Sequence, residues 1–290
     1  MIEASSQPAA ATPATPARRA RRSLVGGDGV LALHSALVYA FLYLPIAVLV
    51  LFSFTPDSFG VRLTGFTLRW YADLFGDERL IGATINTLIV ATISTLVSTT
   101  LGTLIALGME RYSFRGRTTV DALIYMPIVI PEIVMAVAML AFFATVFGLL
   151  ERTLGAQMRM SLVTVTIAHI AFSISFVVVV VRASLKGFDT RLEEAASDLG
   201  ASRWRTFWRV TFPLILPGII GGALLAFTLS LDDFVISFFT AGPGTTLLPL
   251  EVYNKVKRQI TPKINAVSTV MLLFSMALVL LSQYLQRRRR

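Results

Sequence analysis

Six stretches of apolar residues, each close to the ~20 residues a helix needs to cross a bilayer, constrain this chain more than any other feature. They fall at about 35–54, 85–108, 121–148, 161–184, 214–237 and 266–286. Hydrocarbon offers no water to an unpaired backbone N–H or C=O, so runs of this length and polarity resolve as transmembrane helices. The composition agrees, with 55% of the 290 residues hydrophobic, a mean hydropathy of +0.72 and 15% charged. A soluble domain carries about a quarter charged residues. The sequence therefore predicts an all-α polytopic membrane protein with six transmembrane helices. Pro45, inside the first, is tolerable as a kink.

A net charge of +9 is compatible with nucleic-acid binding, but the positions of the charges are not. Arg18, Arg19, Arg21 and Arg22 precede the first span and Arg287 to Arg290 follow the last. Seventeen of the 26 Lys and Arg residues lie in the two termini, the 109–120 loop and the 185–213 loop with Arg182. By the positive-inside rule those segments, and both termini, face the cytoplasm. Residues 1–33, rich in Ala, Pro, Ser and Thr and then Arg, are expected to form a disordered basic segment ahead of a six-span domain at 34–290. They do not resemble a cleaved signal, because the apolar run that follows is too long and no small-x-small site ends it. The absence of cysteine excludes disulfide and thiol chemistry.

No catalytic constellation is evident. Without a Gly-x-x-x-x-Gly-Lys-Ser/Thr run the chain has no P-loop for ATP phosphates, and His34 and His169 lack the spacing of a metal site. His169, inside the fourth span, reads as a hydrogen-bonded packing residue. In the 55–84 loop Trp70, Tyr71 and Phe75 suit the headgroup level. Asp57, Asp73, Asp77 and Glu78 there fit either a binding-protein contact or a solvated loop. Gly242-Pro243-Gly244 in the 238–265 loop is turn chemistry.

Two polar features stand out against the apolar background. The first is the 186–213 loop. Thr190 followed by Glu193 has capping-box spacing and predicts a helix start. Leu192, Ala195, Ala196 and Leu199 then form one apolar stripe, and Gly200 supplies the left-handed stop. Ser202 offers a new cap. Beyond it Trp204, Phe207 and Trp208 alternate with Arg203, Arg205 and Arg209, an amphipathic stretch for a membrane surface. A short helix held at a bilayer face with one stripe free is a handle for a soluble partner. The second feature is a set of acids at membrane depth. Glu132 lies about ten residues into the third span, near its middle, and Asp232 and Asp233 lie in the outer third of the fifth. A carboxylate at the bilayer centre costs on the order of 2.5–3.5 kcal/mol, so such groups face a bundle interior or a wet pathway. The spans that carry them hold no Lys or Arg, which points to a cationic substrate as the missing partner. An interhelical hydrogen bond or a protonated acid is the alternative. Adjacent helix positions point about 100° apart, so one of the two Asp residues is expected to pack rather than face the pathway. Phe234, Phe238 and Phe239 offer aromatic faces beside the acids.

The spacing Glu194-Ala195-Ala196, three residues, Gly200, nine residues, Val210-Thr211-Phe212-Pro213 resembles the EAA motif of ATP-binding-cassette (ABC) importer permeases. Val210 and Phe212 stand where the family pattern has Ile and Leu. Further segments resemble the second permease subunit of spermidine/putrescine importers over nearly the whole chain after about residue 33. They include Gly65-Phe66-Thr67-x-x-Trp70-Tyr71, Arg111-Tyr112-x-Phe114-Arg115-Gly116, Leu185-Lys186-Gly187-Phe188-Asp189 and Ser230-Leu231-Asp232-Asp233-Phe234-Val235. The resemblance implies a type I ABC-importer permease in the bacterial inner membrane, a transport subunit rather than an enzyme. It implies a heterodimer with a homologous permease, two copies of an ABC ATPase that bind ATP and Mg, and a periplasmic polyamine-binding protein. No cofactor is expected in this chain. Glu194, Ala195, Ala196, Asp198 and Gly200 would couple to the ATPase; Glu132, Asp232, Asp233 and Phe234 would line the substrate pathway. Rival readings keep the machinery for another small cation, an amino acid or an iron complex. Others replace it with a proton-coupled secondary transporter or a non-transporting scaffold.

Overall fold

A computed structural model describes residues 28–58, 62–258 and 261–287. Residues 1–27, most of the expected disordered segment, lie outside the described residues. The chain divides at Val48 into two units. The first holds most of α1 (Asp28–Phe52), a 25-residue helix with Pro45 inside it, which starts earlier than the expected 35.

The second unit holds α2 (Arg69–Leu74), α3 (Glu78–Arg111), α4 (Arg117–Val129), α5 (Glu132–Leu154) and α6 (Leu162–Lys186). After these come α7 (Arg191–Asp198), α8 (Arg203–Thr206), a π-helical turn at Phe207–Thr211 and α9 (Phe212–Asp232). The chain ends with α10 (Val235–Thr240), α11 (Leu248–Arg258) and α12 (Pro262–Arg287). There is no strand among the described residues, and six helical stretches are long and apolar enough to cross a membrane.

Helices α3, α6 and α9 pack on one another as the centre of the unit. Small residues permit the contact. A Cβ on Gly102 would lie 2.7 Å from Val177 Cγ1, and one on Gly222 would lie 3.4 Å from the same atom. Val177, fully buried on α6, thus fills the notches that α3 and α9 leave for it. Ala106, Met109, Val178, Val181 and Ala226 complete that core, with Ile124 of α4 against it. Hydroxyls stitch the same helices: Ser94 on α3 meets Ser230 on α9 at 3.1 Å, and Thr164 on α6 donates to Thr240 O of α10 at 2.7 Å.

Two expected spans are corrected. The third, anticipated as one helix over 121–148, is broken: α4 ends at Val129, Ile130 is extended (φ −70°, ψ 136°) and α5 begins at Glu132. Pro131 supplies no N–H and disfavours helical backbone in the residue before it. The fifth, anticipated over 214–237, breaks at Asp233 (φ −64°, ψ 122°) and resumes as α10. The second begins at Glu78 rather than 85, because Asp77 caps it.

That cap is also an electrostatic clasp. Asp77 Oδ1 accepts the Leu80 N–H at 3.2 Å, and its Oδ2 takes Lys255 of α11 and Lys263 of α12, each at 2.8 Å. Burial alone would push this carboxyl up. The two ammoniums outweigh burial and hold it well below its ordinary 3.8. A carboxyl whose folded pKa is depressed stabilises above its unfolded pKa and stops doing so as pH falls through the folded one. Asp77→Asn keeps the cap and removes the charge. It is therefore expected to lower the melting temperature in detergent by a few degrees. The gap to the native chain should stay constant between about pH 5 and pH 7 and close below about pH 4.

Candidate functional site

Two polar regions lie half the length of α3 apart. The first is the loop after α6. Helix α7 starts where the sequence predicts, but not through the expected capping box. Thr190 makes no side-chain cap, and Asp189 accepts the Arg191 N–H at 3.0 Å instead. Glu193 is engaged elsewhere, because its Oε1 takes both the Arg111 guanidinium at the end of α3 and the Thr211 hydroxyl at the start of α9. Gly200, at φ +79°, ends the helix, and Ser202 caps α8 through the Arg205 N–H at 3.4 Å. Glu194, Ala195 and Asp198 are exposed, Ala196 is half-buried, and Leu192 and Leu199 leave the apolar stripe open. Trp204 and Trp208 are exposed in an aromatic cluster with Phe207 and Phe212. The loop is thus fastened to α3 and α9 on one side and open on the other.

A second tie lies beside it. Arg182, near the end of α6, pairs with Glu110 of α3 at 2.7 Å and with Asp121 of α4 at 2.5 Å. Together the two clusters tie α3, α4, α6, α7 and the start of α9. Arg111, Glu110 and Asp121 are not legible as partners in the sequence, since 61 to 82 residues separate the pairs, and Thr211 lies 18 residues from Glu193.

The second region is where the two helix breaks meet. His169 on α6 is fully buried. Its Nδ1 lies 2.7 Å from Ser230 Oγ, and its Nε2 lies 3.1 Å from Ser237 Oγ and 3.1 Å from Asp233 Oδ2. With Nε2 donating to Asp233, Nδ1 accepts the Ser230 proton. Asp233 also accepts the Ile236 and Ser237 N–H groups at 3.3 and 2.8 Å, capping α10. The Glu132 carboxyl, in the first turn of α5, reaches Asp233 at hydrogen-bonding range. Ser94, joined to the network through Ser230, lies halfway along the 34-residue α3. The network therefore lies level with the middle of α3.

The two Asp residues diverge. Asp233 is 6% exposed, whereas Asp232 and Glu132 lie on the surface of the chain. Phe234 is half-buried, with its ring 4.8 Å from Tyr253 and 5.6 Å from Phe238. Tyr253, on α11, is a neighbour that no local pattern announces. The electrostatics favour a cation. Freed N–H groups at the starts of broken helices ordinarily attract anions. Here α5 and α10 start on the chain's own carboxylates, while the carbonyl ends of α4 and α9 terminate at the same breaks.

The chain as a whole has known counterparts. Residues 98–290 match the model of the family described as binding-protein-dependent transport system inner membrane component. The chain belongs to that family. It is similar to the spermidine/putrescine transport system permease protein PotC of Haemophilus influenzae, 39% identical over 251 residues, covering 87% of this chain and 94% of that protein. It is also similar to the putrescine transport system permease protein PotI of Escherichia coli, 35% identical over 235 residues, with coverage of 81% and 82%. Among solved structures it superposes on crystal structures of a bacterial alginate ABC transporter, one in complex with its alginate pentasaccharide-bound periplasmic protein. The TM-score is 0.71 at 20% identity, over 90% of this chain and 95% of that one. The fold is that of type I ABC-importer permeases.

The Glu193 clasp yields a structural expectation. Glu193→Gln removes the charge that holds Arg111, whereas Glu194→Gln removes no side-chain hydrogen bond or ion pair among the described residues. Hydrogen exchange across 191–211 should accelerate roughly tenfold in the first variant and stay unchanged in the second. Equal rates would show that the clasp does not order the loop.

Proposed function

We propose that this chain is the permease subunit of an ATP-driven importer that moves polyamines from periplasm to cytoplasm by alternating access. One observation carries the reading: Glu132 and Asp232 lie on the chain's surface at the two breaks in helices that are long and apolar enough to span a membrane. A carboxylate facing lipid deep in a bilayer costs on the order of 2.5–3.5 kcal/mol, so a partner subunit and a cation pathway cover that face. Polyamines are flexible cations with methylene spacers. Carboxylates to replace hydration and the faces of Phe234 and Phe238 to cover the spacers are the fitting chemistry. The names of the PotC and PotI relatives support this cargo class.

In this reading Asp233 positions rather than binds. Its carboxylate holds the start of α10 and the His169 ring, and so keeps Asp232 and Phe234 turned to the pathway. The homologous permease subunit of a heterodimer supplies the facing half, and a periplasmic polyamine-binding protein delivers cargo. Two copies of an ABC ATPase dock on the Glu194, Ala195, Ala196, Asp198 and Gly200 surface, bind ATP and Mg, and perform the hydrolysis. Their closure pushes on α7, and the Glu193 clasp passes that motion to α3 and α9. Both termini and the α7 loop face the cytoplasm.

Uptake into vesicles containing the reconstituted importer tests the cargo. At an effective dielectric of ~20, a carboxylate about 4 Å from an ammonium contributes roughly 4 kcal/mol before desolvation is subtracted. A third of that is about tenfold in rate. Glu132→Gln and Asp232→Asn should each depress polyamine uptake by about that factor with ATPase assembly intact. Asp233→Asn should lower the melting temperature as well. Unchanged uptake in the first two would refute the pathway assignment.

Coupling and topology are tested separately. Gly200→Val places a β-branched residue at a positive φ, and Glu194→Lys reverses a charge on the docking face. Both variants should insert normally yet hold the ATPase weakly or leave its turnover uncoupled. Reporters fused at residues 1 and 290 should read cytoplasm, and those near Gly60 and Gly244 the outside. A terminus outside would put α7 on the wrong face for an ATPase.

A further inference from the structure

At the end of the spans opposite α7, three cavities run into one another. The first, of about 230 Å³, lies among the Asp77 clasp residues and is lined by Lys255, Arg258 and Lys263 above Leu80, Val252 and Val267. It shares Leu80 and Val267 with an apolar groove of about 440 Å³ walled by Tyr71, Phe75, Ile81 and Ile85 of α2 and α3 and by Val270 of α12. That groove shares Thr84, Leu248, Val270 and Met271 with a third cavity, of about 180 Å³, that ends between Leu88 and Phe274. From Lys263 to Phe274 along α12 the descent is about 16 Å at 1.5 Å per residue. One leaflet of hydrocarbon is about 15 Å deep.

The charge at the top is positive. Lys255 and Lys263 share the single Asp77 carboxylate, and Glu251 lies 3.8 Å from Lys255. No carboxylate lies within ion-pairing distance of Arg258 among the described residues. Three cations thus face two acids. Helix α12 also starts here, with the positive end of its dipole adding to the field. Because α3 and α12 are spans, this cationic pocket sits at headgroup level and the groove beneath it at acyl level.

We propose that this surface is a binding site for an anionic phospholipid. Its phosphate is held by Lys255, Arg258 and Lys263, and one acyl chain lies in the groove between α3 and α12. The Asp77 clasp places two of the three cations, so the cap that starts α3 also assembles the headgroup pocket. An acyl chain fills apolar surface that neither water nor a cationic cargo could occupy. The site is separate from the acids at the helix breaks, and its test is independent of the cargo.

The assembled importer, stripped of lipid in detergent and titrated with phosphatidylglycerol or with phosphatidylcholine of the same chains, supplies the test by native mass spectrometry. Phosphatidylglycerol should be retained on this subunit roughly fivefold better, in line with the contribution of one cation at a membrane surface. Arg258→Gln leaves both Asp77 ion pairs in place, so it should keep the melting temperature and lose most of that preference. Ile85→Trp with Val270→Trp fills the groove and should lower retention of both lipids. Glycerophosphoglycerol, the headgroup without chains, should not displace the lipid. Equal retention of the two lipids, an unchanged Arg258→Gln variant, or displacement by the chain-free headgroup would each overturn the proposal. So would lipid binding that disappears when the sister permease is present, since a protein surface would then be the occupant.

Discussion

In hydrocarbon every backbone N–H and C=O needs a partner inside the protein, and the whole arrangement depends on where this chain breaks that rule. It does so twice at the level of Ser94, at Ile130–Pro131 and at Asp233–Phe234. Each break is made by a different means. Pro131 removes a donor and forces its predecessor out of the helix, while Asp233 replaces lost helical acceptors with its own carboxylate, taking the Ile236 and Ser237 N–H groups. Interruptions of this kind survive only inside protein or beside a wet cavity. Two of them meeting beside Glu132 and Asp233 is the feature on which the proposed pathway rests.

The 34-residue α3 is the element that relates that pathway to the rest. Its start is set by Asp77, its middle reaches Ser230 and so His169, and its end supplies Glu110 and Arg111. It packs on α6 through Gly102, where any side chain would strike Val177. A rod gripped this closely transmits displacement rather than absorbing it, because packed interiors are not continuously deformable. The Glu193 clasp and the Arg182 pairs bind α3, α4, α6, α7 and α9 together at one end. Of these helices α9 carries Asp232 at its far end, and α3 reaches the acids at mid-length through Ser94 and Ser230.

Much of this was legible in the sequence, and the reasons differ by feature. Span number follows from length and hydropathy, which are local. The start of α7, the Gly200 stop and the Ser202 cap follow from residues within one turn of each other. The breaks were harder: Pro127 and Pro131 were visible, but only Pro131 interrupts the helix, whereas Pro127 sits inside α4. Asp233 gives no local sign of capping a new helix, so its span reads as continuous. Glu193 shows the limit most clearly. Its spacing from Thr190 fits a capping box, yet Arg111 and Thr211, brought near by the fold, offer a full charge and a hydroxyl. A charged donor outbids a backbone N–H for the same carboxylate. No pairing between residues 82 positions apart can be read from a single chain without its tertiary contacts.

The fold itself does not set the sign of what passes. The alginate transporter on which this chain superposes imports an acidic polysaccharide, so the same helical frame accommodates an anion. What differs must lie in the side chains at the breaks. An unmodified half-helix start presents bare N–H groups and a positive end, which suits an anion. In this chain Glu132 stands in the first turn of α5 and Asp233 caps α10, so both positive ends are already neutralised from within. Asp232 then adds a carboxylate with no ion-pair partner among the described residues. In the proposed reading, two internal caps and one surplus carboxylate suit this frame to a cation. It is the placement of three acids, rather than the architecture, that carries the chemistry of the cargo.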